Sequence, residues 1–243
     1  LEASRPSNAA AYAATAAGTR TLATLQNADR YNRWLLDRVS GAVGSRMLEI
    51  GCGCGTMSRL LVERELFVGI DVVDEFVSTL NRRFADQPAV TFLRHDISTS
   101  TGPLGGYHFD SAVSFNVFEH IEDDVAALRN VCHVLVPGGT LGLVVPAHRS
   151  LSGKFDDLIG HWRRYSTREL REKLEDAGFT VDRVAYSNPV GALGWLVQVK
   201  VLGRPELGAT GLFDRMVPTL AAIEQRVAPP FGLSVVAVAR KLR

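Results

Sequence analysis

Leu48-Glu49-Ile50-Gly51-Cys52-Gly53-Cys54-Gly55 decides the fold of this 243-residue chain. A short apolar run ends in an acidic residue, and glycines then stand at alternate positions. Glycine reaches backbone conformations closed to other residues, and its missing Cβ lets a ligand lie against the main chain. An apolar run followed by such a bend reads as a strand delivering the chain to a tight strand-to-helix turn.

Outward from this turn, short apolar runs alternate with helical patterns. Strands are expected at 47–50, 66–70, 90–93, 111–115 and 141–145, with helices at 57–64, 74–84 and 123–135 between them. The last of these helices is expected to stop at the breaker cluster Val136-Pro137-Gly138-Gly139. Such alternation implies a parallel sheet covered by helices on both faces, an open, doubly wound α/β domain. Later, 166–177 reads as a helix with Ser166 as N-cap and Gly178 as the residue that ends it. Strands follow at 180–186 and 233–239, and the apolar stretch 187–232 between them is too long for a plain turn. With Trp195, Leu196, Val199, Leu202, Phe213, Met216, Val217 and Leu220, it is expected to fold as helices that cover something. At the other end, 1–20 reads as a loose lead-in, and Leu22, Leu25, Tyr31, Trp34, Leu35, Val39 and Val43 recur at helical spacing. The expected division is a 1–44 segment with a cap helix and a 45–243 domain.

Composition narrows the function. Lys and Arg number 27 against 26 Asp and Glu, a net charge of +1, which gives no field for gripping a nucleic-acid backbone. Hydrophobic residues make up 46% and charged residues 22%, enough for an ordinary globular core. Cys52, Cys54 and Cys132 are too few for a disulfide framework, which points to a reducing, cytoplasmic setting. No run reaches the ~18 consecutive apolar residues of a membrane span, and the Ala-rich start lacks the basic n-region of a signal peptide. The C-x-C spacing of Cys52 and Cys54 is closer than that of zinc ligands, and no D…D-N triplet marks a Mg²⁺ site, so no metal is expected.

Three further strand ends carry chemistry. Asp71 closes the second strand, 22 residues after Glu49, where a carboxylate can accept both hydroxyl hydrogens of a ribose; capping a helix is its competing role. A nicotinamide fingerprint needs glycine at the sixth place of G-x-G-x-x-G, and that place is Thr56. Glu49-Ile50-Gly51-Cys52-Gly53-Cys54-Gly55 instead resembles motif I of the class I S-adenosylmethionine-dependent methyltransferases. Ser114-Phe115-Asn116-Val117-Phe118-Glu119-His120-Ile121 is similar to the motif IV region of their small-molecule branch, including ubiquinone-type O-methyltransferases. It lacks the N-P-P-Y type sequence of many enzymes that methylate nucleobases or protein amides.

The resemblance covers about 46–186 and implies a seven-stranded sheet whose last strand runs antiparallel to the rest. It implies S-adenosylmethionine as cofactor, with contacts from Glu49, Gly51, Cys52, Gly53, Asp71 with its neighbour Val72, Asp96, Ile97 and Asn116. Asp96 would meet the adenine amino group, with the neighbouring backbone N–H on a ring nitrogen; an Asp bonding its own loop is the alternative. Tyr31 and Asn32, in a segment similar to one that closes over the cofactor, would touch the methionine carboxylate or ribose. The activity implied is transfer of methyl to an oxygen or nitrogen of a small molecule, and imidazole is the usual base for a hydroxyl. His120 and His161 are the catalytic candidates. Arg163, Arg164 and Tyr165, in the aromatic and basic loop 146–165 with Lys154, Phe155 and Trp162, suit an anionic or planar acceptor. The 187–232 stretch would serve a lipid-like acceptor, a peripheral membrane contact or a homodimer. A nicotinamide-dependent oxidoreductase and a non-catalytic partner protein sharing the fold are the rival readings.

Overall fold

The computed structural model describes residues 26–153, 156–157, 159–197 and 210–242. The lead-in 1–20 and the positions Leu22, Leu25, Lys154, Phe155, Val199 and Leu202 lie outside these, as does the side chain of Phe213.

Seven strands form one sheet: β1 (Arg46–Ile50), β2 (Leu66–Asp71), β3 (Val90–Arg94), β4 (Phe109–Phe115), β5 (Leu135–Pro146), β6 (Phe179–Ser187) and β7 (Ser234–Lys241). Their order across the sheet is β3-β2-β1-β4-β5-β7-β6. Pairs among the first five strands are parallel, and β7 is antiparallel to both β5 and β6. The chain builds outward from β1 to β3, then returns to place β4 on the other side of β1. At that reversal the connections after β1 and β4 leave towards opposite faces, opening a crevice at the carboxyl ends of the strands.

Period-two alternation in the strands separates two layers of core. Leu48, Ile50, Val68, Ile70 and Ala112 point to one face, with Leu128 and Val131 of α4 (Asp124–Val134) and Leu170 and Leu174 of α5 (Thr167–Asp176). Met47, Phe67 and Val113 point to the other, with Leu61 of α2 (Ser58–Leu61) and Val77 and Leu80 of α3 (Asp74–Arg83). The N-terminal helix α1 (Asp29–Arg38) adds Leu35, and Val39 just beyond it, against Val144 and Val236 on this second face. Ser166 caps α5 as the sequence suggests, its Oγ accepting from Glu169 N at 3.1 Å, and Asp123 Oδ1 caps α4 by accepting from Ala126 N at 2.9 Å. No helix among the described residues is long and apolar enough to cross a membrane.

Two expectations need correcting. The helix expected at 57–64 is a single turn, because Arg64 N already bonds Val62 O and the chain must reach β2, where Leu66 N bonds Ser45 O. The cluster Val136-Pro137-Gly138-Gly139 does not delay the strand, since β5 begins at Leu135. The pairing with β4 jumps from Phe109↔Leu135 to Ser111↔Thr140, so the extra residues bulge out, with Gly138 at φ +79°.

Among its described residues, the stretch 187–232 carries the helices α6 (Pro189–Trp195) and α7 (Thr210–Arg226). Helix α7 packs on α1, where Asp214 Oδ1 accepts from Tyr31 N at 2.9 Å. Its buried Glu224 takes Ser187 Oγ and Asn188 N, each at 2.9 Å, at the end of β6. What the insertion covers is therefore α1 and, through it, the carboxyl edge of the sheet.

The exit of α1 touches β5 so closely that a Cβ on Gly142 would lie 2.9 Å from Val39 Cβ and 3.1 Å from Ala42 Cβ. Gly142→Ala is expected to lower unfolding free energy by about 1–3 kcal/mol through overpacking. A urea titration showing an unchanged midpoint would mean that α1 does not rest on the sheet in this way.

Candidate functional site

The bend after β1 is held by the backbone. Gly51, Gly53 and Gly55 have φ of +74°, +50° and +81°. The N–H groups of Gly51 and Cys52 both donate to Ile70 O of β2, at 2.8 and 3.0 Å. A Cβ on Gly51 would collide with Val117, whereas nothing lies within 4 Å of a Cβ built on Gly53. The first glycine is therefore required by packing, and the second leaves an uncovered stretch of main chain facing the crevice.

Two carboxylates flank this bend. Glu49, at 2% exposure, accepts from Ser58 Oγ at 2.5 Å. Burial pushes its pKa up to about 8, the Ser58 bond opposes that, and the charge of Asp71 adds to it. Asp71 Oδ2 accepts from Gly53 N at 2.8 Å and Oδ1 from Val73 N at 3.0 Å. Burial raises its pKa too, against the pull of those backbone donors. Cys52 is buried, and its thiol pKa is raised mainly by that burial.

Tyr31, Asn32, Glu49, Gly53, Phe115 and Asn116 line one cleft, with Gly51 and Cys52 also in its wall. Burial pushes the Tyr31 phenol up to about 12, opposed by a hydrogen bond to Asn188. Asn116 is held at φ +54° while its N–H bonds Val144 O at 2.8 Å, which turns the chain sharply at the end of β4. Asp71 and its neighbour Val72 adjoin the cleft through Gly53. Asp96 and Ile97 stand farther along the same edge. Asp96 Oδ1 accepts from Ser98 N at 2.9 Å and Ser98 Oγ at 2.6 Å, so it closes its own loop. Ile97 is buried and its carbonyl accepts from Asn130 Nδ2 at 2.7 Å. A broader recess lies at the opposite, amino edge, between Gly138, Thr180, Asp182 and Arg240. It is away from the reversal of strand order, and its Arg240 is paired with Asp182 at 3.0 Å.

On the far side of Asn116, the loops after β4 and β5 meet. The His120 and His161 rings are 4.7 Å apart, edge to face. His161 Nδ1 lies 2.8 Å from Asp156 Oδ1. Against the upward push of burial, bonds from His161 and Arg164 hold the Asp156 pKa down to about 2. Burial lowers His120 to about 3, aided by His161. Glu119 is 0% exposed, and burial lifts its pKa to about 7 against the charges of His161 and Arg164.

The expected acceptor contacts sit differently from the two histidines. Arg163 Nη1 pairs with Asp124 Oδ2 at 2.8 Å, and its Nη2 donates to Glu122 O at 2.5 Å. Arg164 is buried and grips Asp156 with Nε at 2.7 Å and Nη2 at 3.2 Å, its guanidinium 5.1 Å from the Trp195 ring centroid. Tyr165 is 1% exposed, with its hydroxyl between Phe118 O at 3.1 Å and Asp124 Oδ2 at 2.8 Å. Arg163 and Tyr165 fasten the 146–165 loop to the turn after β4 and the start of α4, while Arg164 braces the loop from within through Asp156 and Ala147 O. Sequence reasoning missed Asp156 and did not single out Glu119 by itself, although the Glu119-His120 pair was visible.

Residues 48–141 match the family described as a methyltransferase domain. A 37.1 kDa protein from transposon TN4556 of Streptomyces fradiae is 32% identical over 67% of this chain and 51% of its own length. An uncharacterized methyltransferase of Mycobacterium bovis is 34% identical over 49% of this chain and 59% of its own. The chain thus spans about half to three-fifths of these curated relatives. Among solved structures, a geranyl diphosphate methyltransferase superposes with a TM-score of 0.62 at 14% identity, covering 87% of this chain and 84% of that one, which is a likeness of fold. Family match, strand order and the glycine bend with its two carboxylates agree: residues 48–141 match a methyltransferase domain, set in a sheet similar to that of the class I S-adenosylmethionine-dependent methyltransferases.

Proposed function

We propose that this protein transfers a methyl group from S-adenosylmethionine to an oxygen or nitrogen of a small molecule. The observation that carries this reading is the cleft itself, where a buried carboxyl, an uncovered glycine and the edge of Asp71 converge. Its donor set fits the cofactor. Glu49 is a buried acid that no Lys or Arg among the described residues pairs with, suited to the charged amino-acid end. Gly53 lets a nucleoside lie on the main chain. Each oxygen of Asp71 takes one backbone N–H, leaving a further lone pair on each for the ribose hydroxyls.

When bound, S-adenosylmethionine supplies an already activated methyl group, so the protein's main contribution is position. Tyr31 and Asn116 close the cleft around the methionine portion, with Gly51 and Cys52 beneath it. Val72, Asp96 and Ile97 continue the rim towards the base. His120 and His161 stand on the acceptor side, and Asp156 fixes the orientation of the second imidazole. Arg163, Arg164 and Tyr165 act by holding this loop in place. Leu193, Val197, Ile223, Val227 and Phe231 are exposed, a surface that suits a lipid-like acceptor.

Two measurements test this reading. Calorimetry is expected to detect S-adenosylhomocysteine binding that Asp71→Ala weakens about 10- to 100-fold, the size of a lost charge-assisted pair. Unchanged affinity in that variant would overturn the ribose assignment. Glu49 provides the second test. Its folded pKa is raised, so the stability it contributes is complete below its unfolded value of 4.5 and is lost as pH rises through about 8. Wild type should therefore lose more stability than Glu49→Gln between pH 5 and pH 8, by about 1 kcal/mol or more. Parallel urea curves for the two proteins at both pH values would show that Glu49 is not buried as described.

A further inference from the structure

Glu119 is the anomaly on the acceptor side. Its side chain is fully buried, and neither oxygen has a hydrogen-bond partner. No Lys or Arg among the described residues forms an ion pair with it. The nearest charged candidate is His161, with Nε2 3.7 Å from Oε1, too long for a hydrogen bond. A buried carboxylate left so is costly, so the site must supply either a proton or a cation.

The surroundings favour a cation. Glu119, His120 and His161 each bring a ligand atom into a cluster in which all lie within 4.8 Å of one another. Ligands bonded at about 2.0–2.2 Å to one tetrahedral ion stand about 3.4 Å apart, close to the 3.7 Å between Oε1 and Nε2. His161 also carries the outer partner typical of a metal-bound imidazole, since its Nδ1 faces Asp156 at 2.8 Å and its Nε2 is thereby turned towards Glu119. Asp156 is itself clamped by both ends of the Arg164 guanidinium. The frame around the cluster is tight, with Trp162 N donating to Glu119 O at 2.8 Å.

We propose that Glu119, His120 and His161 bind one divalent transition-metal ion, with Asp156 orienting His161 from outside the coordination shell. Two imidazoles and one carboxylate are a donor set for zinc or a neighbouring transition ion, whereas Mg²⁺ and Ca²⁺ prefer all-oxygen sites. The ion ties the turn after β4 to the loop after β5, the two segments that flank the acceptor side of the cleft. This goes beyond methyl transfer, because metal binding is read independently of any turnover.

The test is titration of the full chain, stripped with chelator, with Zn²⁺ alone, followed by calorimetry and thermal unfolding. One ion per chain and a raised melting temperature are expected. Glu119→Gln, close to isosteric, should weaken binding at least 100-fold, and Asp156→Asn about 10- to 100-fold as an outer partner. Cys52→Ser/Cys54→Ser should bind as wild type does. His161→Ala, a change in the loop outside the strands, provides a second loss of binding should Glu119→Gln fold poorly. Absence of Zn²⁺ binding in the wild type, or wild-type affinity in Glu119→Gln and His161→Ala, would overturn the proposal, as would loss of binding in the cysteine variant. S-adenosylhomocysteine binding measured on the same samples separates failure of the metal site from failure of the cofactor reading.

Discussion

The close passage of the first bend beneath Val117 is the constraint on which the rest of the edge depends. A side chain on Gly51 has no room there, and its φ of +74° favours glycine in any case. Because the chain can turn so sharply, Gly51 and Cys52 both reach Ile70 O, and the start of the loop is sewn to β2. That stitch carries Gly53 to Asp71 and sets two carboxylates on either side of bare main chain. Removing the freedom of one glycine would therefore disturb groups from two strands at once.

Much of this was legible because it is contiguous in the chain. Glu49, the three glycines and Asp71 stand at strand ends, and strand ends in a parallel sheet converge on one edge whatever the intervening helices do. The parallel, doubly wound sheet followed from the alternation of elements, and the reversed β7 from the resemblance. The length of β5 was obscured because Pro137, Gly138 and Gly139 ordinarily break structure, and only pairing with β4 shows that they bulge instead. The loop after β5 was hardest to read. It has no periodicity to fix the direction of side chains, so Arg163, Arg164 and Tyr165 read as an acceptor surface. In the folded chain their donors are directed at Asp124, Glu122, Asp156 and Phe118.

The two sides of the cleft treat buried charge differently. Near β1 and β2, acids are stabilised by backbone N–H groups and a hydroxyl, which satisfy hydrogen bonds without neutralising charge, so burial wins and pKa values rise. Around the loop after β5, full counter-charges are present. Asp124 meets Arg163 and Lys173, and Asp156 meets Arg164, and both carboxyls stay low. On that second side Glu119 stands apart from the balanced acids, and there the proposed ion supplies the charge that no nearby guanidinium or ammonium pairs with directly.

The attachment of α7 at two points has a mechanical corollary. Asp214 holds the backbone of Tyr31, and Glu224, on the same helix, holds the junction between β6 and α6. The wall bearing Tyr31 is thus braced from behind, and it cannot hinge outward alone. Traffic past that phenol requires the brace to shift as one body or its carboxylate grips to release, which makes admission to the cleft a collective event and not the flicker of a single side chain.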